Sequence, residues 1–565
     1  MSEPTVGRAS GAGSSTHTGR VGATASLARS SAVMAAGTVV SRILGMVRAV
    51  AQAAIVGLTL TGDTWDVANS LPNLLYLLLA GGVLNAVLVP QIVRAGSHAD
   101  GGRDYVDRLL TLAITAMAAL TVLVTVGAGL LVRLYSDRFP PEAVNLSTAF
   151  AVICLPQVFF YGLYTLLGQV LNARGQFAAY MWAPALANVV AIAGMVTFIV
   201  HGFPTKAPPH AWTPGMVWLL AGSATAGIAA QALVLILPLY RAGFRYRPRW
   251  GFRGVGLRRA STVAGWTFAA LGVSQLGFVV TSRVLTGATS AAAHGQVVAG
   301  KASYSNAFLL FMLPHSLVTV SLVTALFTRM SRAASTDSVS AVRADLSRGM
   351  RLTAVATVPS TVGIVVLGSV LTSVLFFRNS AAEAQGVYLV TVAMMCGLVP
   401  FGTLYLLQRV FYAFEDARTP FLLQLVVTGI ATAGNLVAAT LPVHWTAVGV
   451  GVAQTVSNLV GAGVGLVLVR RRLTRIFLRA ATQVYARLFV AALSAAAVTA
   501  PAVWGIRRLV GEGRPGALVA LLLGGSLFGA GYLWLAGVMH VREVSDLTAP
   551  LVARARRMLP HRAPS

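Results

Sequence analysis

Two arginines sit six residues apart inside an apolar run long enough to cross a bilayer. The stretch SRILGMVRAV, Ser41 to Val50, lies within a run from Ser31 to Gly57 and carries Arg42 and Arg48. A guanidinium cannot shed its charge, and its planar fork of donors matches the oxygens of a phosphate. On a helix the two lie about 9 Å apart along the axis and about 120° apart around it. That geometry lets them border opposite sides of a wet cavity; the alternative is a pair of interfacial arginines snorkelling toward headgroups. Gly45 between them removes bulk and permits a bend or a close helix contact.

Asp63 and Asp66 open the next apolar run. They suit two uses: N-capping with dipole complementarity, or a counter-charge that holds an arginine and releases it during a cycle. Arg283 and Lys301, at the ends of two later runs, face the same cavity or mark the outer interface. Of the 16 acidic residues, only Asp63 and Asp66 lie in or beside a span with room to act. A proton-coupled exporter needs buried carboxylates, whereas a ligand of fixed negative charge needs permanent cations. The balance points to an anionic, phosphate-bearing substrate. No P-loop is present, which argues against ATP hydrolysis in the chain. Cys154 and Cys396 fall in apolar runs without CxxC or Cys/His spacing, so they read as buried thiols, with no disulfide, metal or cofactor implied.

The elements that position these residues follow from composition. The 565 residues are 56% hydrophobic and 10% charged, with mean hydropathy +0.74, which excludes a soluble globular protein and indicates an all-α polytopic membrane protein. The net charge of +27 comes from arginines in short segments between apolar runs, the distribution of a topology signal and not of a nucleic-acid groove. Fourteen runs reach the length of about 20 residues that a membrane helix needs. They lie near 31–57, 64–93, 106–133, 146–172, 177–201, 214–240, 260–286, 296–328, 350–377, 385–414, 420–441, 445–469, 483–506 and 514–539. Pro72, Pro90, Pro314 and Pro400 predict bends in the long second, eighth and tenth runs, with Pro72 and Pro314 as candidate hinges. Alternate connections are strongly basic, which places both termini in the cytoplasm. Arg507, Arg508 and Arg514 in the last hairpin depart from that rule. Residues 1–30, rich in Ser, Gly, Thr and Ala, read as a disordered cytoplasmic tail without a cleavable signal, and 541–565 as a second tail.

An internal repeat organises the spans. LLGQVLNARGQF (Leu166 to Phe177) parallels LLQRVFYAFEDARTPF (Leu406 to Phe421), placing Val410 240 residues after Val170. Leu71–Pro72 recurs at Leu313–Pro314, displaced by 242. Two landmarks with nearly one offset predict an N-lobe over 31–242 and a C-lobe over 260–475. Each holds six helices around a central cavity, and two extra C-terminal helices lie within 480–540.

SRILGMVR, Asp63 and LPNLLYLLLAGGVLNAVLVP (Leu71 to Pro90) closely resemble the N-terminal signature of the lipid II flippase family, MurJ/MviN, of the multidrug/oligosaccharidyl-lipid/polysaccharide exporter superfamily. The likeness extends to Asn306–Arg332, Gln169–Phe177 and Tyr412–Phe421 and covers roughly 31–475. It implies a transporter without covalent chemistry, in the bacterial cytoplasmic membrane. Such a protein moves the undecaprenyl-diphosphate-linked peptidoglycan precursor to the outer leaflet by alternating access. By the same resemblance Arg42 and Arg48 match the first-helix arginines implicated in diphosphate binding, and Asp63 matches the family's acidic residue. The last two helices are expected to help form a groove for the lipid tail. Tyr76 stands where the family often has an arginine, a helix 8 arginine is replaced within Ala307–Leu309, and Ala49 follows Arg48 where an acid is often found. Lys301 or Arg283 would supply the missing charge. The carboxylates of the sodium site proposed for some members are absent from helices 7 and 11, which leaves membrane potential as the energy source. No fused pseudokinase, found in some members of that family, is expected here. Membrane lipids and cell-division or elongation proteins are the other partners implied, with no nucleic acid. Three rival readings stay open: an exporter of another polyprenyl-linked glycan, a small-molecule antiporter of the same superfamily, and a non-transporting scaffold.

Overall fold

The computed structural model describes residues 16–79, 103–174, 176–250, 262–292, 296–474 and 478–545, and the regular structure of these residues is helical. The first half contains α1 (Thr16–Val56), α2 (Leu60–Leu79), α3 (Arg103–Val126), α4 (Ala128–Tyr135), α5 (Pro141–Cys154), α6 (Gln157–Ala173), α7 (Phe177–Val200), α8 (Pro214–Leu233) and α9 (Ile236–Arg241). The second contains α10 (Thr262–Ser290), α11 (Lys301–Pro314), α12 (Val320–Ser335), α13 (Val339–Leu375), α14 (Ala381–Met395), α15 (Leu398–Ala413), α16 (Arg418–Ala438) and α17 (Val443–Leu473). Then come α18 (Leu478–Val510) and α19 (Arg514–Val538). Helices dominate because lipid offers no partner to a free backbone amide or carbonyl.

Twelve helical segments are long and apolar enough to cross a membrane, and the pair α14–α15, bent by 47°, makes a thirteenth. The described part of α2 carries Asp63, Asp66 and Pro72 and corresponds to the second of the fourteen expected runs. Its continuation, with Pro90, lies outside the described residues. The expectation of disorder over 1–30 is corrected in part, because α1 already begins at Thr16. Ala23, Ala25, Leu27, Ala28 and Arg29 are strong helix formers and extend the span backwards.

The packing repeats between the halves. α1 lies on α7 and α7 on α8, just as α10 lies on α16 and α16 on α17. α2 rests on α5 as α11 rests on α14, and α6 meets α8 as α15 meets α17. The breaks repeat as well. Cys154 ends α5 and Cys396 follows α14, again 242 residues apart. Pro156 precedes α6, and Pro400 falls in the first turn of α15, where a missing amide costs no helical hydrogen bond. Cys154 is buried, whereas Cys396 is exposed at its break, contrary to expectation.

α18 and α19 pack on each other and on α13. The expected tail from 541 starts with a docked turn: Val541 and Val544 are buried, and Arg351 Nε donates to Glu543 Oε1 at 2.6 Å. The rest of that tail lies outside the described residues. Two of the three arginines that broke the charge rule rest on aromatic faces, Arg508 3.9 Å from the Trp504 ring and Arg514 5.8 Å from Phe377. A cation held against a ring at a span's end is a satisfied interfacial charge.

Between helices in lipid, burial carries little hydrophobic gain, so close van der Waals approach through small residues holds them together. Gly227 of α8 shows this: a Cβ there would lie 2.6 Å from the Ala187 carbonyl oxygen of α7. At Gly429 of α16 a Cβ would meet nothing within 4 Å. Gly227→Ala is therefore expected to destabilise the protein by about 1–3 kcal/mol through overpacking. Thermal unfolding in detergent checks this, with Gly429→Ala unchanged or slightly stabilised as its control.

Candidate functional site

α1 is apolar nearly all round, yet its two faces differ. Val39, Ile43 and Val47 are exposed on one side. Arg42, Gly45, Ala49, Gln52 and Val56 recur at three- and four-residue intervals and line a cavity, with Arg48 beside them. The other walls come from Trp65, Asp66 and Asn69 of α2 and from Ser305, Asn306 and Leu309 of α11. Helices of both halves thus enclose it. Both expected arginines reach this one cavity, and Gly45 lies midway between them in angle. A Cβ on Gly45 would meet only Asn188 Nδ2, at an ordinary 3.8 Å, so packing does not demand glycine here; its absent side chain leaves the gap between the guanidinium groups open. The Asn188 Nδ2 that crosses to the Ser41 carbonyl, at 3.0 Å, fixes α1 on α7.

Arg42 and Arg48 are half-buried, and the Nε of each is buried without a hydrogen-bond partner. Among the described residues no carboxylate pairs with either. Buried donors without partners are costly, and a site that keeps two of them is prepared for an acceptor-rich anion.

The other expected cations go elsewhere. Lys301 is almost fully buried, forms an ion pair with Asp66, lies 3.3 Å from Ser70 Oγ and sits 5.2 Å over the Phe278 ring. Arg283 Nε donates to the Leu134 carbonyl at 2.8 Å, with Nη1 3.9 Å from Asp137. The expectation that they supply cavity charge is corrected: each is committed to joining the halves. A lone cation near a carboxylate or carbonyl of the opposite half is neutralised there before any ligand arrives. Tyr76, in the place of a family arginine, has its ring tilted by 30° against that of Tyr161 at 5.4 Å and shares a hydrogen bond with Thr165 Oγ1 at 2.5 Å. It supplies a hydroxyl and no charge.

Asp63 is fully buried and touches neither arginine. Its Oδ1 accepts from the Ala302 amide at 2.7 Å and its Oδ2 from Thr289 Oγ1 at 2.7 Å. It therefore caps α11, a helix of the other half, with its charge on the positive end of that helix dipole. The approach needs Gly300, where a Cβ would fall 2.2 Å from Asp63 Oδ2. Of the two uses left open by the sequence, a cap on its own helix or a counter-charge to an arginine, Asp63 serves neither here, since the helix it caps starts 238 positions away, at Lys301.

Further bonds gather at the same end of the cavity. Ser305 Oγ donates to Asp66 Oδ2 at 2.8 Å. Glu383 accepts from the Leu58 amide at 2.9 Å and lies 3.6 Å from Lys206 Nζ, while Asn379 Nδ2 donates to the Ala53 carbonyl at 3.0 Å. Sequence reasoning missed Glu383. Its signal was the capping box Ser380-x-x-Glu383 that opens α14, which frees one carboxylate oxygen to reach across.

The expected hinges are placed as follows. Pro72 lies inside α2. Pro314 ends α11 and is followed by a π turn, His315–Thr319, before α12. A proline amide cannot close the preceding turn, and a wide turn accommodates the carbonyl it leaves behind.

The chain matches the family model described as lipid II flippase MurJ over residues 52–524. A lipid II flippase MurJ of Burkholderia cenocepacia is 28% identical over 421 residues, 72% of this chain and 77% of that protein. A probable lipid II flippase MurJ of Haemophilus influenzae is 25% identical over 491 residues, 83% of this chain and 90% of the relative. Among solved structures, a lipid II flippase MurJ in an inward closed conformation superposes with a TM-score of 0.68 at 17% identity, covering 92% of this chain and 99% of that one. An inward-facing MATE family transporter of the MOP superfamily superposes with 0.61 at 15% identity over 76% of this chain and 94% of its own. These last two speak to the fold. A family model spanning most of the chain, on helices that form a two-halved bundle around an arginine-lined cavity, places the protein in the lipid II flippase MurJ family.

Proposed function

We propose that this protein carries the diphosphate headgroup of lipid II across the bacterial cytoplasmic membrane, with Arg42 and Arg48 as the anion-binding pair. The observation that carries the reading is two guanidinium groups in an inter-lobe cavity with no carboxylate partner among the described residues. A diphosphate offers several charged oxygens, and each arginine can take two of them through its fork. The alternating arginine-rich connections put both termini in the cytoplasm, so the end sealed by Asp63 faces outward. The headgroup would then enter from the cytoplasmic side. The polyprenyl tail stays in lipid, along a groove to which α18 and α19 contribute.

Release outside requires the seal to part. Asp63 leaves the α11 N-terminus, Lys301 leaves Asp66, and Glu383 leaves Leu58, while bends at Pro72 and at the π turn after Pro314 absorb the rotation. Ligand binding drives this only as far as the open state binds the headgroup better than the sealed one. Another diphosphate-linked glycan would satisfy the same arginines, and the uncharged tyrosine at position 76 favours no particular headgroup. The rivals separate by complementation.

Three outcomes are expected. The chain restores growth when a host's own lipid II flippase is depleted. Arg48→Ala at equal membrane expression does not, because losing charged hydrogen bonds costs about 2–3 kcal/mol, a fall on the order of a hundredfold; Arg48→Lys lies between. Rescue by the alanine variant would refute the diphosphate role. Next, Asp63→Ala removes two bonds to a charged acceptor and shifts the balance toward the outward-open form by about 3 kcal/mol. In a Cys396→Ser background, a thiol probe added outside should label Gln52→Cys much faster once Asp63 is gone; equal rates would deny the seal. Finally, lipid II translocation in reconstituted vesicles should proceed without sodium, and strict sodium dependence would expose a cation site in the C-terminal half.

A further inference from the structure

A second cavity lies within the C-terminal half, between α10, α11, α15, α16 and α17. It shares α11 as a wall with the arginine cavity: Ser305 and Leu309 face one, Tyr304 and Phe308 the other. Its chemistry is different. No charged side chain is among its lining residues. Its polar wall is made of amides and hydroxyls, including Gln408, Gln424, Asn435, Gln454 and Asn458. Buried polar groups in a membrane bundle normally pair with one another, yet two here do not. Asn458, 3% exposed, has a buried Nδ2 without a partner. Asn435, also 3% exposed, donates to Thr281 Oγ1 at 2.9 Å but leaves its Oδ1 unpartnered. One orphan donor and one orphan acceptor therefore belong to residues that line the same space. Tyr304 Oη donates to Gln454 Oε1 at 2.7 Å, which commits that oxygen and leaves the Gln454 amide donors uncommitted among the described residues. Flat apolar faces complete the wall: the Tyr304 and Phe308 rings stack at 6.4 Å with an 11° tilt, and Phe401 lies beside them.

We infer that this cavity is a subsite for the uncharged saccharide part of the headgroup, an inference that rests on the diphosphate reading of Arg42 and Arg48. A pyranose offers hydroxyls that both donate and accept, which matches a mixed set of orphan amide groups. It also offers an apolar ring face, which matches flat aromatic side chains. A carboxylate-bearing peptide finds no cation on these walls, and a metal ion would use the acceptors while leaving the Asn458 donors unsatisfied. The shared α11 wall lets one headgroup place its phosphates on α1 and its sugars on α17.

The test measures binding to the full-length protein in nanodiscs with three probes: lipid II, the same lipid lacking its peptide, and undecaprenyl diphosphate without sugar. Asn458→Leu is expected to weaken both sugar-bearing lipids by about tenfold, the scale of one lost buried hydrogen bond, and to leave undecaprenyl diphosphate within about twofold. Gln454→Leu, at a half-buried position, is held to the same pattern should the first variant fold poorly. Equal loss on all three probes, loss confined to the peptide-bearing lipid, loss seen only when sodium is present, or no loss would each overturn the saccharide assignment. Arg48→Ala separates the two readings, since it should weaken all three probes alike. Unchanged binding there would sink the diphosphate role while leaving the sugar-dependent ratio of the Asn458 variant to be judged alone.

Discussion

A carboxylate of one half sits on the N-terminus of a helix of the other, and most of the organisation around the cavity follows from that contact. Asp63 is buried and would be costly there without compensation, yet the Ala302 amide and Thr289 hydroxyl answer both its oxygens. The amide belongs to a helix end that lacks intrahelical partners in any case, so each group resolves the other's deficit. Gly300 makes the approach possible, Asp66 neutralises Lys301 one turn away, and Glu383 repeats the device on the Leu58 amide. These polar contacts lie beside an apolar one, in which Ala53 and Leu58 of the first half share a buried cluster with Leu285 and Ala302 of the second.

That arrangement also explains how the charges are distributed. Lys301 and Arg283 are spent in holding the halves together, whereas Arg42 and Arg48 have no carboxylate partner among the described residues. Acidic residues are scarce in this chain, and those near the cavity are engaged at its sealed end. The interior field is therefore positive where a ligand would sit and balanced where the halves meet. A carboxylate beside Arg48 would compete with a diphosphate; Ala49 occupies the neighbouring position and does not.

Much of the fold was legible in the sequence because its rules are local. Apolar run length and proline position each act within a few residues and pointed to the spans and the breaks, whereas the two halves were read from the recurrence of two landmarks at nearly one offset. The arginine pair was legible for the same reason: an uncompensated charge in a span has few uses. Asp63 was recognisable as a cap, but no spacing says which helix a cap serves when the partner is hundreds of residues away. Lys301 and Arg283 were misread because a cation at a span's end looks alike whether it faces a cavity or a partner's carbonyl. Glu383 and the Asn435–Asn458 wall were missed since isolated polar residues in separate spans acquire meaning only when the helices are assembled. The start of α1 was misjudged for a different reason: the Ser, Gly and Thr of the first thirty residues outweighed Ala23, Ala25, Leu27 and Ala28, which favour helix.

The docking of the last two helices bears on which part of the molecule moves. α18, α19 and the turn at 541–545 are fastened to α13, and the Arg351–Glu543 pair pins the chain's end to the same helix. Among the described residues the second half therefore presents eight candidate spans to the bilayer and the first half five besides α2. Viscous drag and lipid rearrangement scale with the perimeter that must be displaced, so rocking at the Asp63 contact turns the lighter half against the heavier. α1 and its arginines belong to the half with fewer spans, and the Asn435–Asn458 wall to the half with more.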